Sequence, residues 1–189
     1  MTILPDYKLR QWAYKGGLTP FDVACINPAS VDLRLGNTIC VPCWYWKPIL
    51  WRLAYRLGLP HWTDPKMFDT YLLRPGEFVL CSSMEITHIP DDMIAILFSK
   101  SSTGRRGIEH LHAGYGDPGF GDNARGGTDW TWELVNIAPW PNLLEAGKPL
   151  MQLVLAQLHS CPERMYKETG RYNEQSGPTA NKEGEIFTQ

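Results

Sequence analysis

The sequence predicts a mainly β fold, and three observations predict it. Strand-like apolar runs outnumber helical ones and follow one another closely between residues 69 and 99. Turn formers separate them: the chain holds 15 Pro and 17 Gly, too many for long helices. The length, 189 residues, suits one domain with a sizeable core. Runs at this spacing point to an all-β barrel or sandwich.

Residues 5–16 are predicted as a short helix. Pro5 and Asp6 suit its first turn, Leu9, Trp12 and Ala13 share a face, and Gly16-Gly17 ends it. Residues 31–35 alternate apolar and charged, as a half-exposed strand does, with Asp32 and Arg34 on one face. A surface ion pair and a buried structural pair are both open there. Trp44, Trp46, Trp51 and Trp62 crowd the next stretch, and Ile49–Leu57 reads as a helix for core or oligomer contact. Strands follow at 69–73, 78–82, 85–89 and 93–99, with turns at Arg74–Glu77 and Pro90–Asp92. Residues 132–135 and 150–159 are two more strands, with turns at 139–142 and 144–149. From Cys161 onward apolar residues thin out. We therefore divide the chain into a β domain, 1–160, and a tail, 161–189, that is mobile alone. Tyr166, Arg171, Tyr172 and Gln175 are ligand-contact types, so the tail reads either as a segment that orders over a bound substrate and closes the site or as a frayed terminus.

Net charge is −2, which excludes a global field for nucleic acid or a membrane surface, so any anion site is local. No run of 18 apolar residues occurs and the opening MTILPDYKLR is too polar for a signal peptide; a cytoplasmic protein is expected. Five cysteines without a secretion signal imply reduced thiols. Cys40 and Cys43 have metal-like spacing, but no second pair follows, and buried thiols are the expectation.

The chemistry concentrates in residues 97–136. Ser101 to Gly107 form a Ser-Ser-Thr-Gly-Arg-Arg-Gly turn. Small hydroxyls, close backbone approach and arginine forks suit phosphate oxygens. Glu133 sits mid-strand, where a carboxylate needs a partner or a task. Together they suggest a phosphorylated substrate with acid/base chemistry at its other end. His110 and His112, two apart, would share a strand face and could bind a metal or a base, although satisfied strand residues are commoner. Trp130 and Trp132 are expected to pack.

Four motifs resemble the dCTP deaminase family of the dUTPase-like superfamily. Ile26 to Gly36, INPASVDLRLG, is similar to the family's early strand. Ser101-Ser102-Thr103-Gly104-Arg105 resembles its R-S-S-x-x-R turn. Asp117-Pro118-Gly119-Phe120 with Trp132-Glu133-Leu134 resembles its D-P-G-W…L-E block. Gly170 to Thr179, GRYNEQSGPT, resembles its G-K-Y-x-x-Q-x-G-P-T tail.

The resemblance implies a distorted β-barrel or jelly roll, assembled as a homotrimer with active sites between subunits. It implies hydrolytic deamination of dCTP to dUTP without zinc, with Mg²⁺ on the triphosphate. Glu133 matches the catalytic proton shuttle. Ser101 and Arg105 match residues holding the base, the water and Glu133. Ser102 matches a phosphate contact, and Lys100 stands where the family has an arginine beside the phosphates. Asp117 matches the acceptor of the 3′-hydroxyl, and Ala113 lines the base pocket. Tyr166, Arg171 and Gln175 match tail residues on the triphosphate. No metal ligand of the chain itself, no nucleic acid and no membrane are implied; dCTP is the implied substrate, with dTTP or dUTP as further ligands.

The chain also departs from the pattern. Lys100 lacks the arginine fork, and Arg171 replaces a lysine. The loop 121–130 is several residues longer than the family's; it reads either as a harmless extension or as a change to the base pocket. Ala113 to Asp117 also resembles the A-G-x-I-D motif of dUTPases. A dUTP diphosphatase, or a bifunctional enzyme releasing dUMP and pyrophosphate, is therefore the alternative. A non-catalytic nucleotide-binding relative is the third reading.

Overall fold

The computed structural model describes residues 2–43, 57 and 61–182. The expected helix Ile49–Leu57 and Trp44, Trp46 and Trp51 lie outside the described residues, apart from Leu57 itself. The N-terminal helix forms as expected. Strand β1 (Thr2–Ile3) leads into α1 (Asp6–Trp12), a wider turn continues over Ala13–Gly17, and Gly16 breaks it at φ 89°. Leu9, Trp12 and Ala13 are buried, and the Trp12 indole donates to the His88 carbonyl at 3.0 Å.

The strands are β2 (Leu18–Thr19), β3 (Val31–Cys40), β4 (Lys66–Met67), β5 (Thr70–Leu73) and β6 (Phe78–Thr87). Then come β7 (Met93–Ser99), β8 (Ile108–His110), β9 (Tyr115–Gly116), β10 (Thr128–Asn136), β11 (Asn142–Glu145) and β12 (Pro149–Gln157). Their main sheet runs β8-β10-β6-β3-β12-β7-β9, with β1, β2 and β4 paired at its margins and β5–β11 as a separate ribbon. The ladders are antiparallel. Register shifts in β3, β10 and β12 add local bends that curl the sheet into a half-barrel. Inside lie Val31, Leu33, Leu35, Leu134, Met151, Leu153 and Leu155, each fully buried.

Several expected boundaries shift. The runs at 78–82 and 85–89 are one strand, β6, because Ser82 and Ser83 are buried and keep pairing. Leu144 and Glu145 belong to β11 rather than to a turn. Residues 101–105 form a short helix instead of a turn, with Thr103 donating to the Leu150 carbonyl at 2.8 Å. Asp32 and Arg34 do not pair with each other. Asp32 accepts from Lys100 and Asn27. Arg34 holds Glu85, with its Nε donating at 2.6 Å and its backbone N–H at 2.8 Å.

Glu85 is 1% exposed. Burial pushes its carboxyl pKa up, and the Arg34 guanidinium pulls it partly back. Removing Arg34 strands a buried charge. Arg34→Ala is expected to cost about 3–5 kcal/mol in urea unfolding, and adding Glu85→Gln should recover part of it.

Candidate active site

Strand β10 builds the site through its two-residue period. Trp130, Trp132 and Leu134 point into the core, and Thr131 and Glu133 point the other way. Glu133 faces a cavity of about 470 Å³. Its floor and walls include Phe78 and Leu80 from β6, Ala113 and Tyr115 from the segment around β9, and Phe120. Tyr166, Tyr172, Gln175 and Thr179 of the tail close the far side. A second hollow beside α1, lined by Lys8, Trp12 and His88 among others, has no carboxylate on its walls. A third hollow has Asp69 and Asp129 on its walls but, among the described residues, no aromatic residue. Of the three, the Glu133 cavity combines a carboxylate with an aromatic wall suited to a base.

The Glu133 side chain is 26% exposed, and its Oε2 lies 3.2 Å from Nε2 of buried His110. The pair is out of hydrogen-bond alignment, and neither atom has another hydrogen-bond partner among the described residues. Strand β8 ends at His110. His112 adopts φ 59°, and its side chain is 87% exposed. The two histidines thus do not share a face, because the strand stops before the second one.

The aromatic wall is continuous. Phe120 packs on Trp130 with ring centroids 4.7 Å apart and on Tyr166 at 5.4 Å. Trp130, expected to pack, does so and also borders the cavity; its indole donates to Thr87 at 2.9 Å. Tyr166 sits in a four-residue helix, Tyr166–Thr169, and its backbone N–H donates to the Pro118 carbonyl at 3.0 Å. Gly170 makes room for its ring, since a Cβ there would come within 2.2 Å of it. Burial raises the phenol pKa of Tyr166.

The expected site residues fall into two groups. Glu133, Ala113, Tyr166 and Gln175 meet in the cavity. Asp117 lies beside them, half-buried, next to the Pro118 contact with Tyr166. Ser101, Ser102 and Arg105 are exposed on their short helix and do not line the cavity. Lys100 precedes that helix and is held by Asp32, and Arg171 is on the tail's outer surface. Tyr172, a tail residue of ligand-contact type, also lines the cavity, and sequence reasoning missed Trp62, Phe78 and Thr131. Only the period of β10 could have signalled Thr131. Cys40 is buried and Cys43 exposed, and no His, Cys, Asp and Glu cluster fit for a metal occurs among the described residues. No helix among them is long and apolar enough to cross a membrane.

A curled antiparallel sheet whose outer face presents a carboxylate to an aromatic, tail-closed cavity defines a β-fold enzyme of hydrolytic acid/base type. Comparison gives the family: the dCTP deaminase-like family matches residues 3–158, and the chain belongs to it. The chain is 36% identical over 169 residues to the dCTP deaminase, dUMP-forming, of Streptomyces coelicolor, covering 87% of this chain and 85% of that one. The protein of the same name from Mycolicibacterium gilvum is 36% identical over 193 residues, covering 99% and 98%. The fold is similar to the crystal structure of 2′-deoxycytidine 5′-triphosphate deaminase from Agrobacterium tumefaciens. That match has a TM-score of 0.64 at 22% identity and covers 84% of this chain and 49% of that one. The relatives' names correct one expectation: they state dUMP as the product, which overturns deamination that stops at dUTP.

Burial raises the Asp117 carboxyl pKa above its usual value. A raised folded-state pKa favours the fold below the unfolded pKa, and that advantage is lost as pH rises through the folded one. Asp117→Asn should therefore raise Tm at pH 7, and the gap to the wild type should close near pH 3.

Proposed function

We propose that this chain converts dCTP to dUMP, releasing ammonia and pyrophosphate. The observation that carries the reading is the Glu133 carboxylate, facing a tail-closed cavity of nucleotide size in a chain whose relatives are named for this reaction. In the first step, water adds to C4 of the cytosine ring and ammonia leaves. Glu133 takes one proton from the water and passes it to the ring nitrogen N3, then takes the second from the new C4 hydroxyl and passes it to the leaving amine. In the second, water attacks the α-phosphate and the bond to the β-phosphate oxygen breaks. Asp117 orients the nucleotide by accepting from the 3′-hydroxyl, and Ala113 offers backbone to the base edge. Tyr166, Arg171 and Gln175 hold the triphosphate from the tail.

The chain works as a homotrimer in this reading. Ser101, Ser102 and Arg105 are exposed and outside their own chain's cavity, so they would complete the site of a neighbouring copy. Ser101 and Arg105 would fix the base and water there, and Lys100 and Ser102 the phosphates. Leu72 and Leu143, opposite each other on the β5–β11 ribbon, and Ile137 and Trp140 are exposed apolar residues suited to such contact. Mg²⁺ would ride on the triphosphate oxygens, because the described residues offer it no ligand cluster of their own. It would neutralise phosphate charge. The chain has no strong charge excess to draw it to nucleic acid, and a cytoplasmic setting fits its nucleotide substrate.

Incubation with dCTP and Mg²⁺, followed by chromatography, should yield dUMP and pyrophosphate; accumulation of dUTP alone would defeat the reading. Glu133→Gln should lower ammonia release by about 10²–10⁴-fold while nucleotide binding persists. Mixing inactive Glu133→Gln with inactive Arg105→Ala should restore activity through mixed trimers. Failure to complement, with mixed oligomers verified by mass spectrometry, would argue for a site within one chain.

A further inference from the structure

The expected 121–130 loop is a loop over 121–127 that runs into β10 at Thr128, and the whole segment is an organised element. Gly121 opens it at φ 86°, where an added Cβ would come within 2.0 Å of the Thr87 carbonyl. Asn123 shapes its turn, accepting from Arg125 N–H at 2.9 Å. Its outward bonds then converge on the tail. Asn123 donates to the Asn173 carbonyl, and Arg125 Nη1 to the Gln175 carbonyl at 2.6 Å. Asn173 answers with both ends of its amide, accepting from Gly121 N–H at 2.7 Å and donating to the Asp122 carbonyl at 2.8 Å. Thr128 donates to the Gln175 carbonyl at 3.0 Å. The Asp129 carboxylate accepts from Gly177 N–H, and its carbonyl from the Gln175 amide. Each of these bonds joins one protein group to another.

We propose that the loop is a dock that holds the tail over the Glu133 cavity before nucleotide binds. Asn123, Arg125 and Asp129 are positioning residues that act through Asn173, Gln175 and Gly177. The inference rests on the reading that this cavity takes the nucleotide. A tail that orders only on binding leaves most molecules incompetent, and apparent affinity falls by the competent fraction. A pre-docked tail removes that loss. The dock should therefore govern KM and leave the chemical step alone.

The test is amide hydrogen exchange over residues 170–180 in the nucleotide-free protein, beside dCTP kinetics. The wild type should show a protected tail. Asn173→Ala and Arg125→Ala should expose it and raise KM about tenfold, as for a docked fraction of about one-tenth, with kcat within about twofold. Arg125→Lys should restore part of the protection. A wild-type tail exchanging like free chain would overturn the proposal, as would variants with unchanged exchange or with kcat falling while KM holds. If the wild type turns over no dCTP, the proposed function fails, and the exchange comparison still decides the dock.

Discussion

The two-residue period of β10 is the constraint on which the rest depends. Its core face buries Trp132 and Leu134 completely, so the strand cannot slip by one residue without turning tryptophan outward and Glu133 inward. Pairing to β6 on one side and β8 on the other locks that register. The carboxylate is thereby fixed on a rigid strand rather than a loop. Its neighbour His110 comes from the same ladder, opposite Leu134. The geometry of the acid is a by-product of core packing.

Around that strand the polar cost of the fold is met locally. Arg34 satisfies Glu85 inside the sheet. Tyr71 and the Arg74 backbone satisfy Glu77 where β5 turns into β6. Asn136 accepts from Ala138 N–H and donates to the Leu73 and Trp140 carbonyls, tying the ribbon to the end of β10. These groups have their partners nearby, whereas among the described residues His110 Nε2, Glu133 Oε2, Trp132 Nε1 and Asp129 Oδ1 are buried without a hydrogen bond, and two of the four are the mismatched His110–Glu133 pair. An under-satisfied carboxylate beside a cavity is where a substrate's own donors can be used.

Much of this was legible in the sequence, and the reasons are specific. Leu9, Trp12 and Ala13 marked α1 because helical spacing is hard to mistake, and β7 followed from an unbroken apolar run ended by Pro90–Asp92 and Lys100. Glu133 stood out as a charge in an apolar strand. The pairing of Arg34 with Glu85 was not legible, because 51 residues separate them and only sheet register joins them. Ser101 and Arg105 could be named from motif but not placed, since residue type carries no information about which cavity a side chain serves. The 121–130 loop was least legible. Its composition of Gly, Asn and Asp reads as generic turn, and its meaning lies in partners fifty residues away in the tail.

Two of the loop's bonds end on main-chain carbonyls, at Asn173 and Gln175. Such contacts follow the path of the chain and are blind to the side chains displayed on it. Glu174 and Ser176 are exposed on the tail. Their side chains can therefore change over generations while these two contacts persist. Selection can retune the tail's surface while its path over the cavity is inherited unchanged.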